Sequence, residues 1–145
     1  MSKTIRLTAA QALVRFMTAQ MTVVDGREVP IFAGMWAIFG HGNVAGLGEA
    51  LHGIGAALPT WRGQNEQTMA HTAIAYAKTM NRKRAMAVTS SIGPGALNMV
   101  TAAGTAHANR LPILLIAGDS FANRIPDPVM QQVEHFGNPT ITVND

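Results

Sequence analysis

Cysteine is absent from this chain. With no thiol there is no disulfide scaffold and no cysteine-ligated zinc, and the composition fits a reducing cytoplasm. Charge is scarce as well. Asp, Glu, Lys and Arg make up 13% of the 145 residues against 48% hydrophobic, where soluble domains carry about 25% charged residues. Such a chain calls for a sheet buried on both faces, a surface covered by a partner, or both. No uncharged apolar run of about 18 residues is present, so no membrane span is expected. The start, Met1-Ser2-Lys3-Thr4-Ile5-Arg6, leads towards an amphipathic helix and not an apolar signal core. The net charge is +3, and its one cluster, Arg82-Lys83-Arg84, is short and lacks interleaved aromatics. It reads as a solvated loop, with no nucleic-acid partner expected. The histidines (His41, His52, His71, His107 and His135) form no H-E-x-x-H, and Glu66 and His71 fall on different helix faces. No protein-only metal site is expected. Ser90 and Ser91 lie outside any G-x-S-x-G nucleophile elbow and read as polar strand-end residues.

What remains is an alternation of strands and helices. Thr8 can cap a first helix carrying Leu13, Val14, Met17 and Met21 near helical spacing. Asp25-Gly26-Arg27-Glu28 reads as a turn, residues 31–39 as a strand bent at Gly34, and Gly40-His41-Gly42-Asn43 as a tight turn. A helix face follows at Leu47, Ala50, Leu51 and Ile54, then a short strand over 60–64 and a helix over 66–80. Residues 84–89 read as a strand, 95–109 as one Ala- and Gly-rich helix, and 112–117 as a buried strand. Residues 121–128 read as irregular, 129–136 as a short helix and 141–143 as a last strand. The expected fold is α/β, a parallel sheet with helices on both faces, and ligands then bind beyond the carboxyl ends of the strands.

Two turns at those ends carry chemistry. Glu66 stands where the run Trp61-Arg62-Gly63-Gln64-Asn65 passes into a helix, and Gly93-Pro94-Gly95 forms a stiff turn at the next strand end. A lone carboxylate beside a glycine turn suggests a cofactor site. Gly40-x-Gly42-x-x-x-Gly46, with Glu66 about 20 residues further on, also permits a Rossmann nucleotide-binding module. Against that stands its place in the chain, after a helix and some thirty residues instead of at the first strand.

Taken jointly, Phe39-Gly40-His41-Gly42-Asn43, then Asn65-Glu66-Gln67, then Thr89-Ser90-Ser91-Ile92-Gly93-Pro94-Gly95-Ala96-Leu97-Asn98 resemble a known family. It is the pyrimidine-binding domain of thiamine-diphosphate enzymes of the acetolactate synthase type. The runs 111–118 and Met130-Gln131-Gln132-Val133-Glu134 extend the likeness over nearly the whole chain. Residues 26–51 and 119–128 resemble a branch that hydrolyses a C–C bond of a cyclic 1,2-diketone. Acetolactate synthase or 2-keto acid decarboxylase activity remains the alternative within the family.

The resemblance implies thiamine diphosphate as cofactor, with Glu66 as the catalytic carboxyl hydrogen-bonded to a pyrimidine nitrogen. Gly42 and Pro94 would lie against the pyrimidine, Asn98 near it, and Gln131 towards the substrate. The role of His41 stays open, as does that of Asn65, which stands where many relatives have histidine. Gly118-Asp119-Ser120 with Asn144-Asp145 is a near miss of the family's metal-diphosphate motif. Mg²⁺ is therefore expected in a separate C-terminal domain, with residues 1–145 as the pyrimidine domain of a longer multidomain enzyme. A cytoplasmic homodimer or higher homo-oligomer is implied. So is an exposed apolar face on helix 95–109, where Ala102, Ala103, Gly104 and Ala106 permit close approach, and on the helix after Glu66. The competing expectation is that these small residues pack on the chain's own sheet.

Overall fold

The computed structural model describes residues 4–119 together with 130 and 131. The expected helix at 129–136, the irregular run 121–128, the strand at 141–143 and the Asn144-Asp145 pair lie outside the described residues, apart from Met130 and Gln131.

Helix α1 (Ala9–Ala19) begins where expected. Thr8 accepts from the Gln11 backbone N–H at 3.1 Å, and the Gln11 side chain accepts from the Thr8 N–H at 3.0 Å, a reciprocal capping box. Strands β1 (Met21–Val24) and β2 (Arg27–Pro30) then form an antiparallel hairpin. Its two-residue turn is Asp25-Gly26, both at positive φ (50° and 77°), the handedness that matches strand twist. The turn expected over residues 25–28 narrows to Asp25-Gly26, with Arg27 and Glu28 already in β2, and the flanking strands are additional to those expected.

The main sheet has four parallel strands in the order β4-β3-β5-β6. They are β3 (Phe32–Ala37), β4 (Thr60–Arg62), β5 (Ala85–Thr89) and β6 (Leu114–Ile116). Strand β3 carries the expected irregularity at Gly34, between Phe32 and Met35. A Cβ at Gly34 would collide with the Trp61 ring and stand 2.6 Å from the Pro59 carbonyl. Glycine there lets β4 close onto β3 and brings Trp36 and Trp61 to 5.7 Å between ring centroids. Strand β6 is shorter and less buried than its apolar run suggested.

Both sheet faces are covered, which accounts for the low charge content. On one face Met86 and Val88 pack with α4 (Glu66–Thr79) and α6 (Val100–Asn109), mainly through Met69, Ala70, Ala73, Ala77, Ala102 and Ala106. On the other, Met35 and Ala87 pack with Val14 and Met17 of α1 and Leu47, Ala50 and Leu51. The last three belong to the segment after β3: α2 (Gly40–Asn43), a wider π turn (Val44–Gly48) and α3 (Glu49–Ile54).

Two expectations are corrected, and a third holds only in part. Residues 40–43 form a helical turn and not a tight turn, because Gly40 (φ +61°) absorbs the change of direction and the chain enters α2 at once. Helix 95–109 is two helices, α5 (Pro94–Leu97) and α6, separated at Asn98-Met99. Ala102 and Ala106 are buried in the chain's own core, so close packing on the sheet explains them, while Leu97 and Val100 remain exposed beside them.

The basic cluster is absorbed structurally. Arg82 donates to the Arg110 and Asn109 carbonyls (3.2 and 3.3 Å) at the carboxyl end of α6, where positive charge is favoured. Arg84 donates to the Pro30 carbonyl at 2.8 Å, and Lys83 pairs with Asp25 at 3.6 Å. No helix among the described residues is long and apolar enough to cross a membrane.

Candidate functional site

Strand order places the site. From β3 the chain passes to β4 on one side, and from β4 it returns to β5 on the other. The helices following β3 and β5 consequently cover opposite faces, and the loops leaving them part to form a crevice at the carboxyl edge. Gly40 leaves β3 here, Ser90 to Gly95 leave β5, Glu66 opens α4 after β4, and Gly118 follows β6.

Glu66 is the first residue of α4. Asn65 caps the helix, its Oδ1 accepting from the Thr68 backbone N–H at 3.0 Å and hydroxyl at 3.2 Å. This gives Asn65 a role at the helix start, fixing where Glu66 emerges. Asn65→Ala is expected to cost about 1 kcal/mol of stability while Asn65→Asp costs little; denaturant midpoints of the two variants check this.

The Glu66 carboxylate is half-buried, and its Oε2 accepts from Asn98 Nδ2 at 3.1 Å. Oε1 has no hydrogen-bond partner among the described residues. A Cβ on Gly95 would stand 2.9 Å from that oxygen, so the missing side chain is what leaves Oε1 accessible. The break between α5 and α6 falls at Asn98, the residue whose amide reaches Glu66. Gly93 (φ +60°) ends the β5 loop, and Pro94 follows as the first, exposed residue of α5. Gly42 lies within α2.

Ser91, expected only as a polar strand-end residue, is 5% exposed and donates its hydroxyl to Gln131 Oε1 at 2.8 Å. A Cβ on Gly40 would collide with the Ser91 hydroxyl. Asn43 Nδ2 donates to the Ser90 carbonyl at 3.1 Å, tying α2 to the same loop. The structure thus joins Glu66 with Asn98 and Gly95, and Gln131 with Ser91. The usable signal for Ser91 was a hydroxyl pair ending an apolar strand just before a glycine turn.

His41 is exposed, and the cleft of about 550 Å³ beside Gly40 is lined by Phe39, Val44, Thr60 and Arg62 instead. His71 donates from Nδ1 to the Gln67 carbonyl at 2.9 Å within its own helix, a structural contact. Ser90 Oγ and Trp36 Nε1 are buried without hydrogen-bond partners among the described residues.

A half-buried carboxyl held through one oxygen, with the other kept clear by a glycine, suits a hydrogen bond to a nitrogen heterocycle. Sequence comparison gives the family. Residues 42–137 match the family described as "Thiamine pyrophosphate enzyme, N-terminal TPP binding domain", and the chain belongs to that family. Among individual proteins it is similar to the 3D-(3,5/4)-trihydroxycyclohexane-1,2-dione hydrolase of Shouchella clausii (strain KSM-K16), 55% identical over 145 residues. That match covers 100% of this chain and 23% of the relative. The protein of the same name from Listeria innocua is 55% identical over 143 residues (99% and 22%). The one from Bacillus subtilis (strain 168) is 54% identical over 145 (100% and 23%). The chain therefore spans about a quarter of the length of these relatives.

Proposed function

We propose that this chain supplies the pyrimidine side of the active site in a thiamine-diphosphate-dependent hydrolase. In this reading the enzyme opens 3D-(3,5/4)-trihydroxycyclohexane-1,2-dione, by hydrolysis of a C–C bond, to 5-deoxy-glucuronate in cytoplasmic myo-inositol catabolism. The observation that carries it is the Glu66 carboxylate, fixed through Oε2 by Asn98 and left open at Oε1 by Gly95. The substrate assignment is supported by the names of the relatives that align with the whole chain.

When bound, thiamine diphosphate supplies the electron sink for C–C cleavage. The residues of this chain bind and orient. Glu66 would share a proton with a pyrimidine ring nitrogen through Oε1, and its side chain is long enough to reach from the first turn of α4. Asn98 keeps the carboxyl from rotating away, because losing the Oε2 bond would free its terminal torsion. Gly42 and Pro94 would flank the ring, where small or rigid residues let backbone approach. Gln131 would face the substrate. Mg²⁺ and the diphosphate would be held by a C-terminal domain, contributed across a homodimer or larger homo-oligomer.

The test uses the full-length protein with thiamine diphosphate and Mg²⁺. Cleavage of the cyclic dione, followed by release of 5-deoxy-glucuronate, is the expected result. Inactivity on the dione with condensation of pyruvate would replace this assignment by a synthase of the same family.

A further inference from the structure

We infer that Ser91 is a positioning residue that sets the direction of the Gln131 carboxamide, turning its Nε2 hydrogens towards the reacting carbonyl of the substrate. The inference rests on the thiamine-site reading above.

The loop carrying Ser91 is held by close backbone approach from three elements. Gly40 (φ +61°), the first residue of α2, has no Cβ to strike the Ser91 hydroxyl. A Cβ on Gly95 would stand 3.2 Å from Ser91 Cβ, and one on Gly118 would stand 2.9 Å from Ile92 N and the Ser90 carbonyl. Ser91 is buried in this clamp, so its hydroxyl has little freedom to choose a partner. It meets Gln131 Oε1 at 2.8 Å, a good O–H···O distance. Gln131 itself is exposed and sits at φ +61°, a left-handed conformation that glutamine seldom adopts.

The chemistry follows from the inventory of donors. A serine hydroxyl carries one hydrogen. Given to Oε1, it occupies the acceptor end of a planar amide whose other end holds two N–H donors. In the arrangement present the hydroxyl meets Oε1, and in that orientation the two N–H donors lie at the far end of the amide, away from the loop. A donor fixed in this way stabilises a carbonyl oxygen as negative charge builds on it, which is worth about 10²–10³ in kcat for a single oxyanion-hole donor. An exposed glutamine without Ser91 would spread over several rotamers and both amide orientations.

The experiment is a double-mutant cycle in the full-length enzyme, with crystal structures of the single variants. Gln131→Ala is expected to lower kcat about 100-fold, on the scale of one lost oxyanion donor. Gln131→Glu should match it, since the carboxylate still accepts from Ser91 but has no amide hydrogens. Ser91→Ala is expected to lower kcat about 10-fold, a partial loss of the same donor, while KM moves much less. In the Gln131→Ala background it should add nothing. In crystals of Ser91→Ala the Gln131 amide should be turned or spread, with the 90–92 backbone unmoved.

Full multiplication of the two losses, or an undisturbed Gln131 amide in Ser91→Ala, would overturn the inference. The crystal readout does not depend on which substrate the enzyme takes. A failure of dione cleavage by the wild type therefore counts against the proposed function, and a fixed amide in Ser91→Ala counts against Ser91.

Discussion

Glu66→Gln in the full-length enzyme is expected to reduce turnover by about 10²–10⁴, the range for loss of a positioned proton-transfer group. Glutamine is nearly isosteric and can still accept the Asn98 amide that now reaches Oε2 at 3.1 Å. The start of α4 rests on the Asn65 cap, which the substitution does not touch. The fold should persist, and the thermal midpoint should stay within a few degrees of the wild type. What glutamine cannot do is exchange a proton at Oε1. Measuring dione cleavage alongside hydrogen–deuterium exchange at the cofactor's C2 checks the assignment. Both should slow together, and wild-type exchange in the variant would remove Glu66 from its role.

Gly95→Ala is the second large effect. The added Cβ would stand 2.9 Å from Glu66 Oε1 and 3.2 Å from Ser91 Cβ. The first contact is closer than real Cβ atoms tolerate, so something must move. Gly95 has no positive φ, so alanine meets no backbone penalty and even has the higher helix propensity within α5. The group best able to yield is the Glu66 carboxyl, the end of a side chain. The variant should fold, retain most of its stability, and lose at least 10-fold in turnover, because misplacement of a catalytic group by about 1 Å can cost 10²-fold. Gly95→Ser should be worse. Kinetics paired with thermal unfolding separate this outcome from simple destabilisation. A Gly95→Ala enzyme with full activity would show that the space beside Oε1 is not required.

Much of this arrangement was legible in the sequence because it is local. The strand end at Thr89, the start of the helix at Glu66 and the turn Gly93-Pro94-Gly95 each declare themselves within a few residues, whereas the Asn65 cap did not. The Gly34 irregularity was also legible, since glycine within an apolar strand signals a bulge or close approach. The β1–β2 hairpin was not. Its strands are four residues each and half exposed, too short to show a period of two around the Asp25-Gly26 turn. Helix α2 went unread because its sequence, Gly40 to Asn43, has poor helix propensity. Its packing is set by distant partners, including the Ser90 carbonyl.

The same distinction holds within the site. Glu66, Pro94 and Asn98 were named by position, and the structure brings Glu66 and Asn98 together across 32 residues of chain. Ser91 was set aside as a strand-end residue because its partner, Gln131, lies 40 residues away. A hydroxyl's role depends on what meets it, and no local pattern carries that information.

The loop from Ser90 to Ile92 is pressed by Gly40, Gly95 and Gly118, at positions where each lacks a side chain. Gly118 meets the backbone of this loop, while Gly40 and Gly95 close on the Ser91 side chain itself, which sits like a wedge among three bare positions. A methyl at Gly118 would strike backbone that has no room to step aside, whereas one at Gly95 is relieved by the end of the Glu66 side chain. The crevice is therefore unevenly stiff, firm on the side of β6 and yielding on the side of α4.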